Sequence, residues 1–481
     1  MGKNTSLKRN ILYQGSYQAF MLLIPLIISP YVTRVLGSEA LGNYAFSNTN
    51  AYYFVMFAML GIARYGQRAM ATVRERKEEL RKAFWSLFFV HCCASVIALI
   101  GYSVFFCLFI EKQRQSLYVI QELYVLSALF DVTWFFYGLE DFKSVIYKNF
   151  FVKAAELICV FTFVKGPEDL EKYAFIVSSS LLFGQMIMLP QVIKRVPPVR
   201  FSVSDALKHV KPLFTLWISV VAVALYTVFD KTLLGLMTEK RNVAFYEYAD
   251  RLVRAPVSLI TAIGTVTYPR MCNLLAKDEE NDSAQNILSH SITLTAFLAC
   301  GAVGGFVALA TDFGVLYYGE EFKVSGNIMF ALSPVILFIT LGDILRTQVL
   351  IPRKKDQIYA AIICGNSVVN LVASILLIPV WGIYGAVIGT GLAEAFGLSA
   401  CMAFCRKHYS VGKMIKEVMP FIMAGCLAVV VVYVMKTGLQ LENTWLSLGA
   451  RAGIFGICYV LICAVHLWMK KRELIQSIIR A

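Results

Sequence analysis

Four pairs of opposite charges are set inside strongly apolar stretches of this chain. Glu247 and Arg251 are four residues apart, as are Asp250 and Arg254; Lys153 and Glu156 are three apart, as are Asp343 and Arg346. Side chains at these spacings share one face of a helix. Asp131, Asp230, Lys231, Glu394 and Arg451 are placed in the same way, Asp131 within LFDVTWFFYGLEDFK at 129–143. Two kinds of chemistry suit such residues. A guanidinium fork donates two parallel hydrogen bonds to a phosphate or a carboxylate. A carboxylate among apolar side chains balances a nearby cation, or takes up a proton or a sodium ion. Neither is bond-making catalysis. The sequence carries no Walker motif, nucleophile elbow or metal cluster, and its five histidines are scattered. Cys401 and Cys405, one helical turn apart, lack the further ligands of a zinc site and read as packing residues. The expectation is a non-enzyme with no cofactor and no metal.

Charges so placed need elements that keep them from lipid. The chain has 481 residues, 58% of them hydrophobic and only 16% charged, with a mean hydropathy of +0.65. Soluble domains are about 25% charged. The apolar residues come in runs of the length, about 20 residues, that spans a bilayer as a helix. Fourteen spans are expected, at 11–33, 40–63, 83–110, 117–138, 145–164, 173–193, 213–237, 243–269, 287–311, 325–351, 358–380, 382–405, 418–436 and 446–468. The fold class is therefore an all-α polytopic membrane protein. An ionised group at the bilayer centre costs about 2.5–3.5 kcal/mol on insertion scales. A dozen such groups must then face one another, or water inside the bundle. The net charge of +14 follows the rule that cytoplasmic loops are rich in Lys and Arg. Basic segments such as RYGQRAMATVRERKEELRK and KRVPPVRFSVSDALKHVK fall in alternate loops, which puts both termini in the cytoplasm and leaves nucleic acid out as a partner.

The sequence also repeats itself. TRVLG at 33–37 resembles KTLLG at 231–235, and Asp131 aligns without a gap on Asp343, with KSVIY at 143–147 on KDQIY at 355–359. Six spans separate equivalent points, so both halves enter the membrane in the same sense, as in parallel repeats. The expected domains are an N-lobe of six spans over 1–193, a cytoplasmic linker over 194–212, a C-lobe of six spans over 213–405, and a last helix pair with a cytoplasmic tail over 406–481. Pro25, Pro30, Pro256 and Pro334 are expected to interrupt helices.

The stretches PYVTRVLGSEALGNYAFSNTN (30–50), FDVTWFFYGLEDFK (130–143), FDKTLLG (229–235) and YEYADRLVRAPVSLITAIGTVTYPRM (246–271) resemble the polysaccharide transporter family. These are O-antigen and capsule repeat-unit flippases of the superfamily that also holds multidrug antiporters and lipid II flippases. The resemblance implies a V-shaped pair of six-helix lobes in the bacterial cytoplasmic membrane. It implies alternating-access export of an undecaprenyl-diphosphate-linked oligosaccharide, among membrane lipids and beside a polysaccharide polymerase and glycosyltransferases. Beyond twelve spans it implies an extra helix pair, which in the lipid II flippases forms a groove for the lipid tail. On that basis Arg34, Arg251, Arg254 and Arg346 are the candidates for pyrophosphate. Asp131, Asp230, Lys231, Glu247, Asp250 and Asp343 are the candidates for charge balance or for coupling to H+ or Na+. Tyr44, Tyr52, Trp134, Tyr246 and Tyr248 are candidates for stacking on sugars, with packing or interfacial roles as the alternative. The other readings are a multidrug/Na+ or H+ antiporter, a lipid II flippase, and a membrane-embedded glycan polymerase.

Overall fold

Among the described residues every regular element is a helix, as hydrocarbon demands of backbone that must satisfy its own hydrogen bonds. The structure, a computed structural model, describes the backbone over residues 2–112, 115–276, 282–438 and 444–480. Side chains are described over 23–275 and 284–469, apart from 113–114, most of 219–227, 269 and 439–443. The chain divides into two compact units, 1–235 and 236–481.

The first unit begins with α1 (Gly2–Met59), α2 (Ile62–Val73), α3 (Lys77–Phe109), α4 (Gln115–Leu129) and α5 (Thr133–Gly138). It continues with α6 (Phe142–Phe163), α7 (Leu170–Met186), α8 (Leu189–Arg195), α9 (Val203–Thr227) and most of α10 (Phe229–Met237). The second holds α11 (Lys240–Ile260), α12 (Ala262–Ala276), α13 (Asp282–Tyr318), α14 (Lys323–Leu332) and α15 (Pro334–Leu345). A π-helical turn at Arg346–Leu350 follows, then α16 (Asp356–Trp381), α17 (Ile383–Cys405), α18 (Val411–Gly438) and α19 (Trp445–Arg480).

Among the described residues eight helices are long and apolar enough to cross a membrane, or nine if α14 and α15, bent by 43° at Ser333–Pro334, form one span. Two of the expected spans outside this set are polar for an evident reason. Helix α6 carries Lys143, Lys148, Lys153 and Glu156, and α11 carries Glu247, Asp250, Arg251 and Arg254. The expected spans 145–164 and 243–269 thus hold three of the four expected charge pairs.

Helix breaks fall close to, but not always at, the expected places. The expected turn at 34–39 is a kink within α1, where Gly37 takes φ 76°. Positive φ at Leu60 and Gly61 ends that helix, and α2 follows as an amphipathic helix where only a polar loop was expected. The expected span 243–269 is broken at Thr261. The prolines behave differently from expectation. Pro25 and Pro30 lie within α1 and Pro256 within α11, whereas Pro334 alone of the four opens a new helix. Proline's missing N–H is harmless in a first turn, which is where Pro334 sits.

The core of the first unit gathers Trp134, Phe135 and Phe136 of α5 against Phe84 and Leu87 of α3 and Ile62 and Met70 of α2. Gly66 makes this approach possible, since a Cβ there would come within 2.5 Å of the Trp134 ring. In the second unit α18 and α19 pack on α13, with Phe421, Phe455 and Tyr459 buried at the seam.

Candidate functional site

Three of the four expected charge pairs form. Lys153 Nζ reaches Glu156 at 2.8 Å, Arg251 reaches Glu247 at 2.9 Å, and Arg254 reaches Asp250 at 2.7 Å. Glu156 also accepts a hydrogen bond from Ser180 of α7. Each acid is better buried than its basic partner, with Glu156 and Asp250 at 5% and 8% exposure. The long basic side chains therefore present their heads outward from an acidic root, as snorkelling cations do. Arg251 also lies 5.2 Å from the Tyr248 ring.

The fourth expected pair does not close. Asp343 lies in the last turn of α15 and Arg346 begins the π-helical turn, and no ion pair joins them. A π turn is wider than an α turn, so the i,i+3 geometry is lost. Asp343 instead packs beside Gly264 of α12, where a Cβ would lie 3.2 Å from its carboxylate oxygen. Gln348 of the same turn donates to Thr267 of α12 at 2.5 Å. Arg346 stays half-buried, its guanidinium near Gly342.

Asp131 has a local task. Its carboxylate accepts hydrogen bonds from the Thr133 amide at 2.9 Å and the Thr133 hydroxyl at 2.6 Å, and its carbonyl accepts from the Trp134 indole at 2.9 Å. It opens α5 after the break at 130–132, satisfying donors that a helix start leaves orphaned. Asp343 matches it at a helix irregularity in the second unit. Asp230 is 4% exposed, next to half-buried Lys231. Arg34 is exposed and donates to the Pro30 carbonyl at 3.0 Å.

The aromatics separate by burial. Trp134 has no exposed surface and stacks on Phe84, and Tyr248 is buried against Tyr318 and Phe322. Tyr246 is buried with its hydroxyl 2.8 Å from Thr390. These three therefore pack in the protein interior and have no open face for a sugar. Tyr44, edge-on to Tyr173, and Tyr52 are half-buried.

Two buried polar clusters escaped the sequence reading. Asp312 of α13 accepts from Lys436 of α18 and from Arg451 of α19, each at 2.5 Å, and Arg451 is fully buried. Glu417 of α18 accepts from Ser289 of α13 and from Tyr409 at 2.5 and 2.6 Å. Their partners lie more than a hundred residues apart, Tyr409 excepted, so no local spacing marks them.

Near the expected cytoplasmic ends, Asp141 caps α6 and pairs with Arg195 at 2.5 Å. Burial pushes its carboxyl up, but the Ser144 hydrogen bonds and the Arg195 ion pair outweigh that and hold it below the usual range. His209 of α9 lies 2.8 Å from the Tyr65 hydroxyl of α2 and 3.1 Å from the Ser86 hydroxyl of α3. Burial holds its imidazole below the ordinary histidine value.

Intramembrane ion pairs on kinked helices belong to several transporter folds, and comparison decides among them. The family model described as polysaccharide biosynthesis protein matches residues 7–275, more than half of the chain. The chain belongs to that family. The model for the lipid II flippase MurJ also matches, over residues 159–452, and both place the protein in the MOP superfamily of flippases and exporters. A protein of Shigella dysenteriae described as an O-antigen transporter is 25% identical over 81% of this chain and 97% of its own. Its counterpart from Escherichia coli K12 is 23% identical over 84% and 97%. Among solved structures, lipid II flippase MurJ in an inward closed conformation has a TM-score of 0.78 at 15% identity, covering 97% of this chain and all of its own. An inward-facing multidrug transporter of the same superfamily has 0.61 at 13% identity, covering 83% and 96%. The fold is thus that of the superfamily. Like its relatives, this member of the polysaccharide biosynthesis family is a multi-span membrane protein of transport type and not an enzyme.

Proposed function

We propose that this protein is a flippase that carries undecaprenyl-diphosphate-linked oligosaccharide repeat units across the bacterial cytoplasmic membrane by alternating access, for cell-surface polysaccharide synthesis. The observation that carries the reading is the set of guanidinium–carboxylate pairs on the helices too polar to pass as ordinary spans, in a chain whose O-antigen transporter relatives match it over nearly their whole length. A pyrophosphate displaces a carboxylate from an arginine fork without changing the type of contact. Arg251 and Arg254 hand over from Glu247 and Asp250, and Arg346, with no ion pair to give up, takes a phosphate directly. Arg34, exposed on α1, is the further candidate for phosphate. Tyr44 and Tyr52 keep surface for a sugar.

The accompanying architecture is also our reading: fourteen spans, two six-helix lobes over 1–193 and 213–405 joined by a cytoplasmic linker over 194–212, and both termini in the cytoplasm. The repeated order of helices in the two units supports it. In the C-terminal pair, α18 and α19 flank an apolar groove of about 570 Å³ lined by Met419, Met423, Leu427, Leu461 and Val465, with Lys416 and His466 at one end. Its size and chemistry suit a polyprenyl tail with its charged end at the rim. A polymerase and glycosyltransferases would work on the same substrate before and after it.

The test is translocation of a lipid-linked oligosaccharide in proteoliposomes. Arg34→Ala, Arg251→Ala, Arg254→Ala and Arg346→Ala should each lower the rate while leaving the protein folded. Wild-type rates from all four would remove the pyrophosphate assignment.

A further inference from the structure

Glu394 stands apart from the other intramembrane acids. It sits mid-way along α17, is 2% exposed, and has a carboxylate oxygen with no hydrogen-bond partner. Every acid of the formed pairs has a cation within 3 Å; this one has neither ion pair nor hydrogen bond. A second buried group shares the seam. Asn366 of α16 is 1% exposed, and neither its carboxamide oxygen nor its nitrogen has a partner. Gly397, one turn after Glu394, makes the notch that holds this carboxamide; a Cβ at 397 would come within 2.4 Å of it. One turn before Glu394, Thr390 is engaged by the Tyr246 hydroxyl. Of the elements packed against α17, α15 carries Asp343 and the π-helical turn carries Arg346.

An isolated carboxylate in a low-dielectric interior is too costly to persist, and such a group neutralises itself. A metal ion needs several converging ligands, and no group of three or more His, Cys, Asp or Glu side chains gathers among the described residues. A proton needs only the one carboxyl. Ionisable groups inside membrane spans are by default functional.

We propose that Glu394 is a proton-binding site of the transport cycle. The carboxyl holds its proton in the arrangement described here, with Asn366 poised to donate to and accept from it. It releases the proton when the α16–α17 seam and the Asp343–Arg346 corner open to water. The role in the cycle rests on the flippase reading; the protonated state does not.

Two measurements on the full chain in liposomes separate these. The infrared spectrum should contain a protonated-carboxyl carbonyl band that Glu394→Gln lacks and that fades as pH rises. Identical spectra for wild type and Glu394→Gln at every pH, or loss of the band on adding sodium at constant pH, would overturn the proton site. An imposed proton gradient should change lipid-linked oligosaccharide transport severalfold in wild type and leave Glu394→Gln, monodisperse and of unchanged melting temperature, without response. An equal response in both would overturn the coupling role. If wild type moves no such lipid at all, the flippase reading falls while the infrared result still decides the state of Glu394.

Discussion

At the scale of single residues, Asp131 shows how a carboxylate earns a place among aromatics. Its oxygen accepts two hydrogen bonds from Thr133 at the start of a six-residue helix. Asp131→Asn should then keep these bonds, whereas Asp131→Ala should cost about 1 kcal/mol, seen as faster amide exchange over 133–138. The Asp250–Arg254 pair poses the reverse question, since a strut and a phosphate ligand look alike at rest. Arg254→Ala leaves Asp250, 8% exposed, without its ion pair and should lower the melting temperature. Adding Asp250→Asn should restore stability but not translocation. Recovery of both would make the pair a strut. The three i,i+3 and i,i+4 pairs that form were legible in the sequence because helical spacing alone sets them. The failure of Asp343–Arg346 was not, because a π turn leaves no mark at that spacing.

At the scale of elements, the helix pair α18–α19 is anchored to α13 by one half-buried carboxylate that serves two cations. Arg451 has no exposed surface, so Arg451→Met would strand Asp312 beside a single, partly exposed lysine. Breaking a buried pair costs about 3–5 kcal/mol, and unfolding in mixed micelles should show a loss of that order. The pair Asp312→Asn with Arg451→Met should recover much of it. In the first unit, His209 holds α9 to α2 and α3 through two hydroxyls. Its value is lowered on folding, so the fold favours the neutral ring. That contribution is complete above the ordinary histidine range and is lost as pH falls through the lowered value. Amides over 203–212 should exchange faster at acid pH once intrinsic rates are removed, and His209→Gln should abolish the dependence. An unchanged pH response in that variant would assign it to other groups.

At the scale of the whole molecule, the fourteen-span reading makes a sided prediction. In cells, Lys208→Cys should resist a membrane-impermeant thiol reagent added from outside, and Arg241→Cys should react with it, on a background without exposed native cysteines. Equal labelling at both positions would break the span count. The sequence by itself determined that this is a helical membrane protein and which short motifs tie it to the polysaccharide family. Those properties follow from hydrophobicity, charge and local spacing, which need no partner distant in the chain. Only the tertiary structure decided that Trp134, Tyr246 and Tyr248 are interior packing residues, that Asp312 joins Lys436 and Arg451, and that Glu394 lies buried with no ion pair. Each of these depends on which helix faces arrive at the same point, and a one-dimensional pattern fixes the faces but not their meeting.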